Sequence, residues 1–123
     1  MLRRISRSPS TRTLALLGCS SAALRAHLLA KMCVWNSAHR KKITLANMQI
    51  DHIKPIRLAR TASDVAALAH FSNLQPLLAA DNREKAGRWC TADERFWRAR
   101  ISRRAFAGIY WPAACRAGRH SEY

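Results

Sequence analysis

The chain has 123 residues, enough for one compact domain with a modest core, and no apolar run approaches the roughly 20 residues that a membrane span needs. Its 22 Lys and Arg against 7 Asp and Glu leave a formal charge of +15, which draws a small protein to polyanions by counterion release, whatever its fold. Charge names nucleic acid as the default partner class; it does not name a reaction. Cys19, Cys33, Cys90 and Cys115 are widely spaced, with no Cys-x-x-Cys pair, and read as reduced, mostly buried thiols in preference to two disulfides of a secreted protein.

Residues 1–13 read as a disordered basic arm, with Arg3, Arg4, Arg7 and Arg12 set among serines and little to bury. Such an arm either lies along phosphates or is a solvated tail. No Asp or Glu precedes Asp51, so this stretch also has the composition of a mitochondrial transit peptide, and Leu16-Leu17-Gly18-Cys19 superficially matches a lipoprotein cleavage site. The apolar run before Gly18 is shorter than the ~7–15 residues of a signal core, and both targeting readings rank second. Residues 14–47 form a leading helical module. Ser20 or Ser21 is a suitable N-cap for a helix to about residue 32, with Leu24, Leu28 and Met32 on one face and Arg25 and Lys31 off it. His27, beside the stripe, reads as an ordinary packed or surface histidine. Residues 34–46 read as irregular, and the basic run His39-Arg40-Lys41-Lys42 is either a solvated loop or a phosphate contact.

Residues 48–87 carry the chemistry. Met48, Ile50 and Ile53 make an apolar strand around Asp51 and His52, which Pro55 ends. After a loop, Ser63 is placed to cap a helix over 64–70 with Val65, Leu68 and Ala69 inward, and Asp64 suits its first turn. A second strand is predicted over 73–77. Asp81 then reads as an N-cap with Glu84 completing a capping box, which sets Asn82 on the first turn of a helix whose N-terminus favours anions. Residues 88–123 read as a basic helical extension. There Thr91 and Glu94 make another capping box for a helix to about residue 110, striped by Trp97, Ile101, Ala105 and Ile109. Arg95, Arg98, Arg103 and Arg104 cover its other faces, so the helix docks on the core and offers arginines to DNA, or else lies on an acidic membrane surface. Trp111-Pro112 stops it, and the last residues read as disordered.

A neutral imidazole can take a proton from water near pH 7, because its ordinary pKa is about 6.5. Carboxylate and amide oxygens are the hard ligands that Mg²⁺ or Mn²⁺ prefers. Those residue types are common, and their order here is more specific. Asp51-His52-Ile53-Lys54-Pro55, then Asn73-Leu74-Gln75-Pro76-Leu77, then Asp81-Asn82-Arg83-Glu84-Lys85 resembles the HNH endonuclease family. The resemblance is to its phage and mobile-element branch, in which Asn replaces the last His. Leu16-Leu17-Gly18-Cys19-Ser20, Leu24, His27 and Trp35-Asn36 resemble that branch's leading module, so the likeness covers residues 14–87. The stretch before Asp51 departs from the branch, which runs more directly from Trp-x-Asn to Asp-His.

The resemblance implies an α+β fold with a small ββα-metal core and flanking helices, acting as a metal-dependent DNA endonuclease. His52 would be the general base that takes a proton from the attacking water. Asp51 and Asn82 would hold one Mg²⁺ or Mn²⁺, and Asn73 would orient His52 and its loop. Arg83, Lys85, Lys54, His70, Arg40, Lys41 and Lys42 would contact DNA. No structural zinc is expected, since family members that carry one hold it with Cys-x-x-Cys pairs. No membrane partner is expected and no protein partner is inferable; the corresponding setting is the cytoplasm of a bacterial cell or a phage-infected host. The rival reading is a non-catalytic DNA-binding module derived from an HNH fold. A basic structural RNA-binding protein would explain the charge but not the order of the motifs.

Overall fold

The computed structural model describes residues 15–116, so the basic arm with its transit-like composition and residues 117–123 of the expected disordered end lie outside the described residues, whereas Ala113–Arg116 of that end are helical. A helical turn at 15–17 leads through Gly18, at φ 71°, into helix α1 (Ser21–Ala38). Ser20 is the N-cap, its hydroxyl accepting from the Ala23 N–H at 3.1 Å. The helix runs six residues past its expected end at residue 32. Nothing from Cys33 to Ala38 is Gly or Pro, so nothing local stops it. The chain then turns back along α1, and the expected irregular stretch is irregular only after residue 38. Asn36 pairs with both backbone groups of Ile43 (2.9 and 2.8 Å), the Trp35 indole donates to Lys41 O (3.1 Å), and Lys42 Nζ caps the Asn36 and His39 carbonyls (2.5 and 2.6 Å).

Strand β1 (Met48–His52) pairs antiparallel with β2 (Leu74–Leu78) in the register Met48↔Leu78, Ile50↔Pro76 and His52↔Leu74. Pro76 is tolerated because each strand of a two-stranded sheet has a free edge. Alternation gives the hairpin two unlike faces. Met48, Ile50, Leu74 and Leu78 form one face and pack with Leu24, Leu28 and Met32 of α1, together with Leu17 and Ile43. The other face carries Gln49, Asp51 and Gln75, and helix α3 (Ala79–Lys85) reaches it. Beyond β1, Ile53 joins a second core with Trp89, Ile101 and Tyr110. The architecture is a mix of helices and one small antiparallel sheet, in agreement with α+β.

Several predicted boundaries shift for identifiable reasons. Helix α2 (Ala62–Ala69) is capped by Thr61 and not by Ser63. Thr61 Oγ1 accepts from the Asp64 N–H at 3.1 Å while Asp64 accepts from Thr61 N at 3.2 Å, a Thr-x-x-Asp box that starts the helix two residues early. Helix α3 follows β2 with no loop, so Asp81 sits inside its first turn and Leu78 is the N-cap; no Asp81–Glu84 box forms. Helix α4 (Thr91–Phe96) is capped by Cys90 with Asp93, one residue before the predicted pair Thr91 and Glu94. It does not run to residue 110. One π-helical turn (Trp97–Ile101) follows, and Arg104, at φ 59°, ends the run. The chain then folds back so that Phe106 and Tyr110 pack beside Phe96, which a straight helix would prevent. After Pro112 comes a short helix, α5 (Ala113–Arg116), whose first N–H groups are taken by the buried Asp93. Among the described residues no helix is long and apolar enough to cross a membrane.

Candidate functional site

Asp51 lies on the polar face of the hairpin and is buried. Both of its oxygens are engaged: Oδ2 accepts from Gln75 Nε2 at 3.0 Å, and Oδ1 faces Lys85 Nζ at 3.2 Å. Gln75, directly opposite in register, is fixed from behind by the backbone of Tyr110, accepting from its N–H (2.7 Å) and donating to its carbonyl (3.0 Å). Burial raises the Asp51 carboxyl above its usual range, and the Lys85 charge and the Gln75 and Lys85 hydrogen bonds offset only part of that rise. Lys85 Nζ also donates to the His52 carbonyl at 2.9 Å and is itself buried.

Asn82 stands one turn before Lys85 on α3, so both side chains leave the same side of that helix. Asn82 Nδ2 donates to Gln49 Oε1 at 2.7 Å. Gln49 and Asp51, two apart on β1, share a face. The helix therefore brings Asn82 and Lys85 over the strand that carries Asp51.

Asn73 is fully buried where the hairpin ladder ends, and its side chain continues the pairing in place of backbone. Its Oδ1 accepts from Lys54 N (2.9 Å), and its Nδ2 donates to Lys54 O (3.1 Å) and Leu68 O (2.9 Å). The Trp97 indole donates to the same Oδ1 at 2.8 Å, and the Asn73 carbonyl accepts from Ile53 N at 2.7 Å. The turn just past His52 is thus fixed by one amide side chain. His52 itself is half-buried at the end of β1, on the face opposite Asp51 by alternation. Burial first, and then the Lys85 charge, lower its imidazole pKa below the ordinary value.

The remaining predicted residues are scattered. Arg83 is exposed on α3, and Arg40 and Lys41 are exposed after α1. Lys42 is spent on the α1 carbonyls. Lys54 is paired with Glu94 at 2.9 Å and lies over the Trp97 ring at 4.9 Å. His70 caps the turn before Asn73, its Nδ1 accepting from Ser72 N (3.2 Å), and Arg104 Nη2 lies 3.1 Å from its Nε2. A Cβ on Gly18 would lie 2.6 Å from that same ring nitrogen, so glycine is required there both for space and for its φ. His27 donates to Leu74 O at 2.8 Å, bracing β2 from α1.

Four residues of this network were not singled out from the sequence. Gln75 had one visible signal: it is the single polar residue in a strand whose five positions are all buried, and such a residue needs a partner. Trp97 and Glu94 had been given to a stripe and a cap, and Tyr110 acts through its backbone, which leaves no sequence trace.

The donor chemistry fits a hard divalent ion. Asp51 and Asn82 offer oxygens from the strand and from the helix over it, and the Lys85 ammonium already occupies a cation's position on Asp51 Oδ1. No group of three or more His, Cys, Asp or Glu side chains stands ready for a metal among the described residues; one carboxylate with one amide falls outside that description. A scan against protein-family models, a search of curated proteins and a search of solved structures each find no match.

Proposed function

We propose that this protein is a metal-dependent DNA endonuclease of the HNH type, hydrolysing phosphodiester bonds. The observation that carries the reading is the convergence of three separated motifs on one hairpin. Asn73 fixes the turn after His52, while α3 delivers Asn82 and Lys85 to the strand face that bears Asp51. Asn82 and Lys85 thus share a strand face with Asp51, and His52 follows at the end of the same strand on the other face, beside the turn that Asn73 holds. The net charge of +15 supplies affinity for a polyanion, and the four free thiols suit a reducing cytoplasm.

In this mechanism the Asp51 carboxylate and the Asn82 amide oxygen would hold one divalent cation, which would supply charge neutralisation at the scissile phosphate. His52 takes the proton of the attacking water, and Asn73 keeps the His52–Lys54 backbone from shifting as it does so. Gln75 prevents the Asp51 carboxylate from rotating. Exposed Arg83, Arg40 and Lys41 contact phosphates and so position the duplex.

One observation favours a second reading, a non-catalytic DNA-binding module: the Lys85 ammonium faces Asp51 Oδ1 and Gln75 holds Oδ2, so both oxygens already have protein partners. Incubation with supercoiled plasmid in Mg²⁺ or Mn²⁺ separates the two. Nicked or linear product that disappears with EDTA and with Asp51→Asn supports the nuclease. Plasmid retardation with no product in either metal supports the binding module.

A further inference from the structure

We propose that Lys85 is an internal cation that occupies the metal's place on Asp51 and must leave before a divalent ion can bind there. The inference rests on the metal role proposed for Asp51 and assigns that site its regulation. Its basis is geometric. A buried carboxylate needs a compensating charge, and here Lys85 supplies it at 3.2 Å, with 2% of Lys85 and 8% of Asp51 exposed. The second Asp51 oxygen is held by Gln75, which is locked to the Tyr110 backbone. Oδ1 is therefore the oxygen open to exchange, and the ammonium stands on it.

An ammonium and a divalent ion cannot share that oxygen without strong repulsion in a poorly solvated site. Lys85 has the means to leave. Its four-carbon stem is flexible, and the helix ends at its own position, with Ala86 and Gly87 both in the left-handed region (φ 46° and 75°). The partners it gives up, Asp51 Oδ1 and the His52 carbonyl, are the groups that a metal and a reordered water would take over. Once released, its charge is available to a DNA phosphate. Metal entry and phosphate binding then favour one another, because each stabilises the state in which Lys85 has left Asp51. The apo protein keeps its site formed but closed to metal until DNA arrives.

The test measures Mn²⁺ affinity of the full chain from the free-ion electron paramagnetic resonance signal. Lys85→Met should bind Mn²⁺ at least about tenfold more tightly than the natural protein, with a larger Mn²⁺-induced rise in Tm. Because Lys85→Met leaves Asp51 buried without its cation, Lys85→Gln, which keeps a donor for Oδ1, is measured beside it. In the His52→Ala background, which retains Lys85, a short duplex DNA should tighten Mn²⁺ binding, and in the double variant with Lys85→Met it should tighten it by a clearly smaller factor. Unchanged or weaker Mn²⁺ affinity in whichever Lys85 variant folds would overturn the proposal. Asp51→Asn separates the two levels of argument. If it abolishes Mn²⁺ binding while the Lys85 variants bind as the natural protein does, only the internal-cation role fails. If Mn²⁺ binding survives Asp51→Asn, or no form binds Mn²⁺, the metal assignment fails with it.

Discussion

The two faces of the β1–β2 hairpin are built on different physical terms. The face beneath α1 is held by Met48, Ile50, Leu74 and Leu78 against Leu24, Leu28 and Met32, a contact that depends on volume and burial. The face beneath α3 is held by Asp51, Gln75, Lys85, Gln49 and Asn82, and beyond the strand end by Asn73, in a chain of directional bonds. The first tolerates any side chain of about the right size. The second depends on the identity of its buried groups, Asp51, Gln75, Lys85 and Asn73, because there a missing donor leaves a buried acceptor unpaired. One face builds the apolar core; the other holds buried polar groups in fixed positions.

The largest expected effect breaks the polar side. Asn73→Ala leaves both Lys54 backbone groups, Leu68 O and the Trp97 indole without their partner, and should cost about 4 kcal/mol in urea denaturation. Asn73→Asp, nearly the same shape, should cost almost as much, because it loses both amide donors. On the apolar side, Leu28→Ala should cost about 3 kcal/mol by opening a cavity, but Leu28→Met less than about 1.5 kcal/mol. If Asn73→Asp proves as mild as Leu28→Met, the contrast between the faces is wrong.

A third prediction uses pH. Lys31 is buried on α1, donating to the carbonyls of Phe106 (3.3 Å) and Gly108 (2.7 Å), and burial lowers its pKa to about 8. The unfolded chain then binds more protons than the native one between about 8 and the ordinary lysine value of 10.5. Stability should rise with pH across that window, by up to ~1.4 kcal/mol per pH unit, as the cost of burying the charge disappears. Lys31→Met should remove this slope, and chemical denaturation from pH 7.5 to 10.5 reads it. The smallest stability effect belongs to the surface. Arg83→Ala should shift stability by less than about 0.5 kcal/mol, yet lower the slope of log affinity for DNA against log salt by about one.

Legibility in the sequence followed the same division. The strands, the Ser20 cap and the α1 stripe were readable because period and capping are local signals, and they agree with the structure to within a residue or so. Between Cys90 and Glu94 local signals competed. Both Cys90-x-x-Asp93 and Thr91-x-x-Glu94 have capping spacing, and tertiary contacts decided between them. Glu94 is drawn away by Trp89, Lys54 and Arg98, while Asp93 also collects Tyr110 and the first turn of α5. Lys85 shows the same limit. Its charge suggested an exposed phosphate contact, and its burial against Asp51 depends on how α3 lies across β1, which no spacing encodes. The placement of Asp51 and His52 on the first strand and of Asn82 on the helix after the second was readable; the Gln75 and Trp97 supports were not, because they join segments 24 to 35 positions apart.

The most direct test of the nuclease reading separates cleavage from binding at a single residue. The natural protein and His52→Ala are compared on supercoiled plasmid in Mg²⁺, with retention of the same DNA measured in EDTA. The account predicts that His52→Ala binds as well as the natural protein and produces no nicked or linear form. Cleavage by His52→Ala at the natural rate, or loss of binding in step with loss of cleavage, would contradict it.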